Sequence, residues 1–196
     1  MLILLDRDGV LNRDYPDDYV KSPAELIMLP GVGAAVAKLN ARGWPVALCT
    51  NQACVGKGII DTAMLARIHD DMRERLLREG GGKIDAIFFA PDPPWAQTDR
   101  RKPGPGMLRE AMAQFRKTPA ETVFIGDSVT DLQAATAAGC RRILVRSGKG
   151  AATQAKGLPA EILPVTVTEH LPDAVDRLIA EISQSANPST DQPPEA

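Results

Sequence analysis

Short, largely apolar runs alternate with longer amphipathic stretches along the 196 residues of the chain. The runs are LILL at 2–5, VALC at 46–49, IDAIFF at 84–89, TVFI at 122–125, RILV at 142–145 and, more weakly, ILPVTV at 162–167. Runs of this length without a regular polar face suit strands buried on both sides. Helical spacing covers 31–42, 61–79, 105–116, 130–138 and 171–184. Pro30 and Gly31 precede the first helix, Gly43 follows it, and Asp61 stands where the second would be capped. Strand and helix in alternation, with short links, predict an α/β fold: a Rossmann-like doubly wound, mainly parallel sheet in a three-layer α/β/α sandwich. Ligands of such folds bind at the carboxyl ends of the strands.

Four of the strands run into polar clusters at that end. LILL leads into Asp6-Arg7-Asp8-Gly9, VALC into Thr50-Asn51-Gln52, IDAIFF through a loop into Arg101-Lys102-Pro103, and TVFI into Gly126-Asp127-Ser128 with Asp131 beyond. A lone Asp-x-Asp is usually a solvated loop or a cap, but four clusters in phase with strand ends point to one site. Carboxylates on one edge repel one another unless a cation joins them, and hard oxygen donors with open positions suit Mg²⁺. Asp6 and Asp127 are assigned as side-chain ligands, with the backbone carbonyl of Asp8 as a third. Asp131 is either an acid surrounding the metal or a first-turn acid favoured by the helix dipole.

Phosphoryl transfer accounts for the rest of the set. An ionised aspartate attacks phosphorus without a base, provided the charge on the phosphate is neutralised. Asp6 is the candidate nucleophile, with Mg²⁺ and Lys102 supplying the neutralisation. Asp8, two residues on, can protonate the leaving oxygen and later activate the hydrolytic water. Thr50 and the amides after it can hold the phosphate oxygens, with Asn51 and Gln52 beside them as candidate binders. For Asn51, orienting Asp8 is an equal alternative.

Composition narrows the ligand. With 23 Lys and Arg against 25 Asp and Glu the net charge is −2, so no broad cationic surface is available for a nucleic acid, and a small anion fits better. The three cysteines, Cys49, Cys54 and Cys140, are too scattered for a disulfide framework or a zinc knuckle. The start MLILLDRDG resembles neither a signal peptide nor a membrane span, which implies a cytoplasmic protein with no membrane partner. Residues 1–184 are expected to form a single domain and a monomer, followed by a disordered tail at 185–196 rich in Pro, Ser and Gln.

The strings DRDGVLNRD, TNQACVGKG, RRKPGPGML and GDSVTDLQAA resemble the haloacid dehalogenase-like phosphohydrolase superfamily, and within it the heptose bisphosphate and histidinol phosphate phosphatases. The resemblance spans about residues 2–184. It implies Asp6 as nucleophile, Asp8 as acid/base, Lys102 as the phosphate-neutralising lysine and Asp127 as a metal ligand, the roles already argued from chemistry. The heptose phosphatases carry a zinc loop before the Arg-Lys-Pro string, whereas the matching positions here are Ala90, Asp92, Thr98 and Arg100, so no structural Zn²⁺ is expected. Ser128 replaces a common lysine, and Ala53 and Cys54 replace a more usual Ser and Gly.

The intervals 8–50 and 51–101 each hold one strand–helix unit and leave no room for a cap domain, so the site should be open. Selectivity then falls to the loops 12–23, with Tyr15 and Tyr19, 52–59, with Lys57, and 90–101, with Trp95, Arg100 and Arg101. Lys57 and Arg101 are the candidate cations for a phosphate that is not cleaved. Trp95 is expected to pack, RSGKG at 146–150 to be a plain loop, and His69 and His170 to be non-catalytic. Together these imply a Mg²⁺-dependent phosphomonoesterase acting through an aspartyl phosphate on a small phosphorylated sugar. D-glycero-D-manno-heptose 1,7-bisphosphate, losing its C7 phosphate in the building of lipopolysaccharide or surface glycan precursors, is the first candidate. Histidinol phosphate is the alternative within the class, although its amine would prefer acidic loops. A polynucleotide 3'-phosphatase lacks a basic track here, and a non-catalytic phosphate-binding module would not need both Asp6 and Asp8.

Overall fold

A computed structural model describes residues 1–185 of the chain. Six parallel strands form one sheet in the order β3-β2-β1-β4-β5-β6: β1 (Leu2–Leu5), β2 (Val46–Asn51), β3 (Ala86–Ala90), β4 (Thr122–Gly126), β5 (Arg141–Val145) and β6 (Thr166–Thr168). The seven α-helices among the described residues are α1 (Val32–Ala41), α2 (Ala53–Gly56), α3 (Thr62–Gly80), α4 (Gly106–Phe115), α5 (Val129–Ala138), α6 (Gly150–Ala155) and α7 (Leu171–Ser185). This is the doubly wound Rossmann-like α/β fold predicted by the alternation of strand and helix, and the sheet is wholly parallel.

The central strand explains why the apolar runs show no alternation. Ile3 and Leu5 of β1 join a core built with Val36 and Leu39 of α1, Ile68 and Met72 of α3 and Val175 and Leu178 of α7. Leu2 and Leu4 point the other way, into a core with Met107, Leu108 and Ala111 of α4 and Ala134 and Ala135 of α5. Both faces are therefore buried, and each such leucine contributes roughly 2 kcal/mol relative to exposure. Small residues on α5 let it lie close to the sheet, while α3 starts at the predicted cap, where Asp61 Oδ1 accepts from Met64 N at 2.7 Å.

Differences from the sequence pattern are local. The strand expected at 84–89 begins at Ala86, because Asp85 turns back on β2 and accepts from Val46 N at 2.9 Å. The weak run at 162–167 yields only Thr166–Thr168, since Ile162 closes a 3-10 turn and packs under the sheet edge. Two short helices, α2 and α6, were not predicted: four and six residues rich in Ala and Gly carry no periodic signal. Between Asp8 and Thr50 lie only a 3-10 turn, α1 and most of β2, and between Asn51 and Arg101 only α2, α3 and β3. Residue 185 ends α7, and the remainder of the tail expected at 185–196 lies outside the described residues. No helix among the described residues is long and apolar enough to cross a membrane.

Candidate active site

The strand order reverses between β1 and β4, and a cavity of about 650 Å³ opens at their carboxyl ends. Asp6 follows β1 and stays paired to β4 through its amide, which donates to Ile125 O at 3.0 Å. Asp127 follows β4, Thr50 and Asn51 end β2, and Lys102 opens the segment leading to α4. The four predicted clusters thus meet on one wall of the cavity.

Lys102 is the centre of that wall. Its side chain is buried, and Nζ lies 2.9 Å from Asp6 Oδ1 and 2.6 Å from Asp131 Oδ1. Burial alone would depress the ammonium, but Asp131 and Asp6 outweigh it and hold its pKa above the ordinary lysine value. Its backbone is fixed by Asn51, which accepts from Lys102 N and donates to Lys102 O, both at 3.0 Å. Asn51, read from sequence as a binder of phosphate or a partner of Asp8, lines the cavity and uses its side-chain amide to position Lys102.

Asp8 points to a different set of partners. Arg7 Nη2 donates to both of its oxygens at 3.0 Å, Asn12 Nδ2 to Oδ1 at 2.9 Å and Gln52 Nε2 to Oδ2 at 2.9 Å. Burial opposes ionisation of Asp8, yet the Arg7 charge and the hydrogen bonds from Asn12, Arg7 and Gln52 bring its carboxyl below the usual range. Gln52 is 1% exposed and also donates to Thr50 Oγ1 at 3.0 Å, so its amide orients Asp8 and Thr50 and does not face the cavity. Thr50 does line the cavity.

Asp6, Asp127 and Asp131 each place one carboxylate oxygen within 4.8 Å of the others. Burial comes first in raising the pKa of Asp6, opposed by Lys102 and reinforced by Asp131 and Asp8; burial, then Asp131 and Asp6, raise Asp127. The three acids are not equivalent. Asp131 Oδ2 takes the Asp127 and Ser128 amides at 3.2 and 3.0 Å and the Ser128 hydroxyl at 2.6 Å, while Oδ1 takes Lys102. Ser128 caps α5 and locks Asp131. Asp6 Oδ2 and Asp127 Oδ1 accept no hydrogen bond among the described residues, which leaves them open to a hard cation.

Two glycines give this carboxylate cluster its room. A Cβ on Gly9 would lie 2.0 Å from Asp127 Oδ2 and one on Gly148 2.1 Å from the same atom, and both have positive φ, 81° and 57°. Gly148 belongs to the RSGKG string expected to be a plain loop. Residues 146–149 form a loop and Gly150 opens α6, but Lys149 N donates to Asp127 Oδ2 at 2.8 Å and Ser147 Oγ to Gly9 O at 2.7 Å, so the segment forms one side of the acid cluster. Arg7, Asn12 and this loop are contributors that sequence reasoning missed.

The three expected loops contribute to the rim, together with the start of α5 and with Lys149, Thr153 and Lys156 after β5. Lys57 Nζ lies 5.3 Å from the Tyr19 ring centroid and 5.5 Å from that of Trp95. Trp95 is 74% exposed, which corrects the expectation that it packs the loop down. The 91–101 loop is braced elsewhere: Arg100 Nη1 donates to both Glu110 oxygens at 2.9 and 2.7 Å and Nη2 to Phe89 O at 3.1 Å. Arg101 lines the cavity and donates to Asp92 O at 2.8 Å. His170 immediately precedes α7 and is not among the residues that line the cavity, and its amide donates to Asp173 Oδ2 at 2.9 Å.

The family model described as "HAD-hyrolase-like" matches residues 99–174. A protein from Bordetella bronchiseptica named D-glycero-beta-D-manno-heptose-1,7-bisphosphate 7-phosphatase is 47% identical over 156 residues, 80% of this chain and 86% of its own length. A protein of the same name from Pseudomonas aeruginosa is 43% identical, over 81% of this chain and 88% of its own. The crystal structure of D,D-heptose 1,7-bisphosphate phosphatase from B. bronchiseptica, complexed with magnesium and phosphate, superposes with a TM-score of 0.85 at 44% identity, covering 92% of this chain and 98% of that one. Motifs, fold and relatives agree: the chain belongs to the haloacid dehalogenase-like hydrolase family.

Proposed function

We propose that this phosphoric monoester hydrolase removes the C7 phosphate of D-glycero-D-manno-heptose 1,7-bisphosphate, in the making of surface glycan precursors. The observation that carries it is Lys102 Nζ held between Asp6 and Asp131 at the mouth of β1 and β4, with Asp8 held by separate partners beside it. The names of relatives at 43–47% identity supply the substrate. On this reading the chain acts as a monomer in the cytoplasm.

The donor set fits Mg²⁺, with Asp6, Asp127 and the Asp8 carbonyl to hold it; bound there, the ion neutralises phosphoryl charge and orients the transferring group. Asp6 attacks phosphorus as the bond to the C7 oxygen breaks, and Lys102, already in contact with Asp6, lies against the phosphoryl oxygens as they gather charge. The arriving phosphate raises the pKa of Asp8 by like-charge repulsion, so that it takes up a proton and passes it to the departing alkoxide. Asp8 then accepts a proton from the water that cleaves the phosphorus–Asp6 bond, and inorganic phosphate leaves. Thr50 holds a phosphoryl oxygen, while Lys57 and Arg101 on the rim take the C1 phosphate.

Phosphate release from heptose 1,7-bisphosphate and from histidinol phosphate, each with Mg²⁺, tests the assignment. The expected kcat/KM favours the heptose by at least about 100-fold, because histidinol phosphate has no second phosphate to engage Lys57 and Arg101. Equal or better turnover of histidinol phosphate would remove the substrate assignment.

A further inference from the structure

Arg7 is buried, 1% exposed, at the back of the site. Its Nε and Nη2 grip the Asp8 carboxylate, and Nη1 faces the other way, 3.4 Å from His69 Nε2. His69 is 5% exposed on the inner face of α3, beside Ile68 and Met72, and its ring meets Phe89 of β3 edge-on at a centroid distance of 6.3 Å. The imidazole is thus held by helix packing on one side and an aromatic ring on the other, with one nitrogen aimed at the guanidinium.

We infer that His69 is a positioning residue for the phosphatase reaction: its Nε2 accepts from Arg7 Nη1 and fixes the plane of the guanidinium that orients the Asp8 carboxylate. Arg7 donates only, so a buried Nη1 needs an acceptor, and a neutral imidazole with its proton on Nδ1 supplies one without adding charge. Burial, followed by the Arg7 charge, lowers the pKa of His69 to about 3, which keeps the ring in that accepting form. Asn12 and Gln52 each hold a single Asp8 oxygen, whereas Arg7 holds both. A guanidinium free to swing would therefore release the carboxylate from the angle at which it meets the leaving oxygen. A bulkier role for His69 in core packing alone would not need a nitrogen at this position.

A second cavity, of about 230 Å³, borders His69 on its outer side, between α3 and β3, with Thr62, Ala66, Asp70 and Arg73 in its wall. It gives small molecules a route to the position of the imidazole. The inference rests on the assignment of Asp8 as acid/base, and the test separates the two.

With heptose 1,7-bisphosphate as substrate, His69→Leu should lower kcat about tenfold while KM stays within about twofold, because one of several supports of the acid/base is lost. His69→Gln, whose amide oxygen can reach the same donor, should keep kcat within about twofold of the unmodified chain. In His69→Ala, imidazole added to the assay should restore part of the lost kcat through the outer cavity. Unfolding midpoints of all three variants report whether the fold has survived. An unchanged kcat in His69→Leu, or an equal loss in His69→Gln, would overturn the inference. Asp8→Asn, measured alongside, should abolish turnover; if it does not, the role of Asp8 fails first and the role of His69 falls with it.

Discussion

Lys102 and Lys57 are both cations on the same cavity, but they are held in different ways. Lys102 is buried, its ammonium fixed by two carboxylates and its backbone by Asn51. Lys57 is exposed on the short turn after α2, and its ammonium lies over the faces of Tyr19 and Trp95. The difference separates two tasks. Charge that develops during phosphoryl transfer is met by groups that need not reorganise, whereas the non-reacting end of a substrate is met by loop residues that can adjust. Loss of the inner cation should appear in kcat, and loss of the outer one in KM.

The largest effect expected from breaking this contrast is at Lys102. Lys102→Met should reduce kcat by about 10³ and leave Asp6 and Asp131 facing one another without a cation. Steady-state kinetics alongside thermal unfolding separate the two consequences. Lys57→Ala should raise KM for the bisphosphate about fivefold and leave kcat nearly unchanged, as for loss of an exposed charge contact. If Lys57→Ala instead lowered kcat, the division between wall and rim would not hold.

The smallest effect concerns the metal. The pKa values of Asp6 and Asp127 are raised in the metal-free fold, so the folded chain retains protons that the unfolded chain releases. The stability of the metal-free protein therefore falls as pH rises from the ordinary carboxylate range towards neutrality. A cation competes with those same protons, and millimolar Mg²⁺ should raise the unfolding midpoint by a few degrees more at about pH 8 than at about pH 5. A gain that shrank with rising pH would contradict the placement of the metal on these acids.

Most of the inner wall was legible because each catalytic group follows an apolar run, and a parallel sheet brings such positions to one edge. Asp6, Asp127 and Lys102 are read in this way. The partners of those groups were not. Asn51 and Gln52 stand in phase with the strand end as Thr50 does, yet their amides are taken by Lys102 and Asp8, a division decided by contacts spanning 51 and 44 residues. Arg7 sits between two acids in the same motif and shows nothing in sequence of its burial. Lys149 meets Asp127 through a backbone amide, and no side-chain pattern announces such a contact. The expectation for Trp95 failed because Arg100 fastens the loop to Glu110 and Phe89 O and leaves the indole outside.

Asp6→Asn tests the central claim most directly, since it removes the nucleophile and keeps the shape. In the presence of Mg²⁺, turnover of heptose 1,7-bisphosphate should fall below about one part in 10³ of that of the unmodified chain, with the unfolding midpoint within about 5 °C. Turnover within tenfold of the unmodified chain would mean that the phosphoryl group does not pass through Asp6.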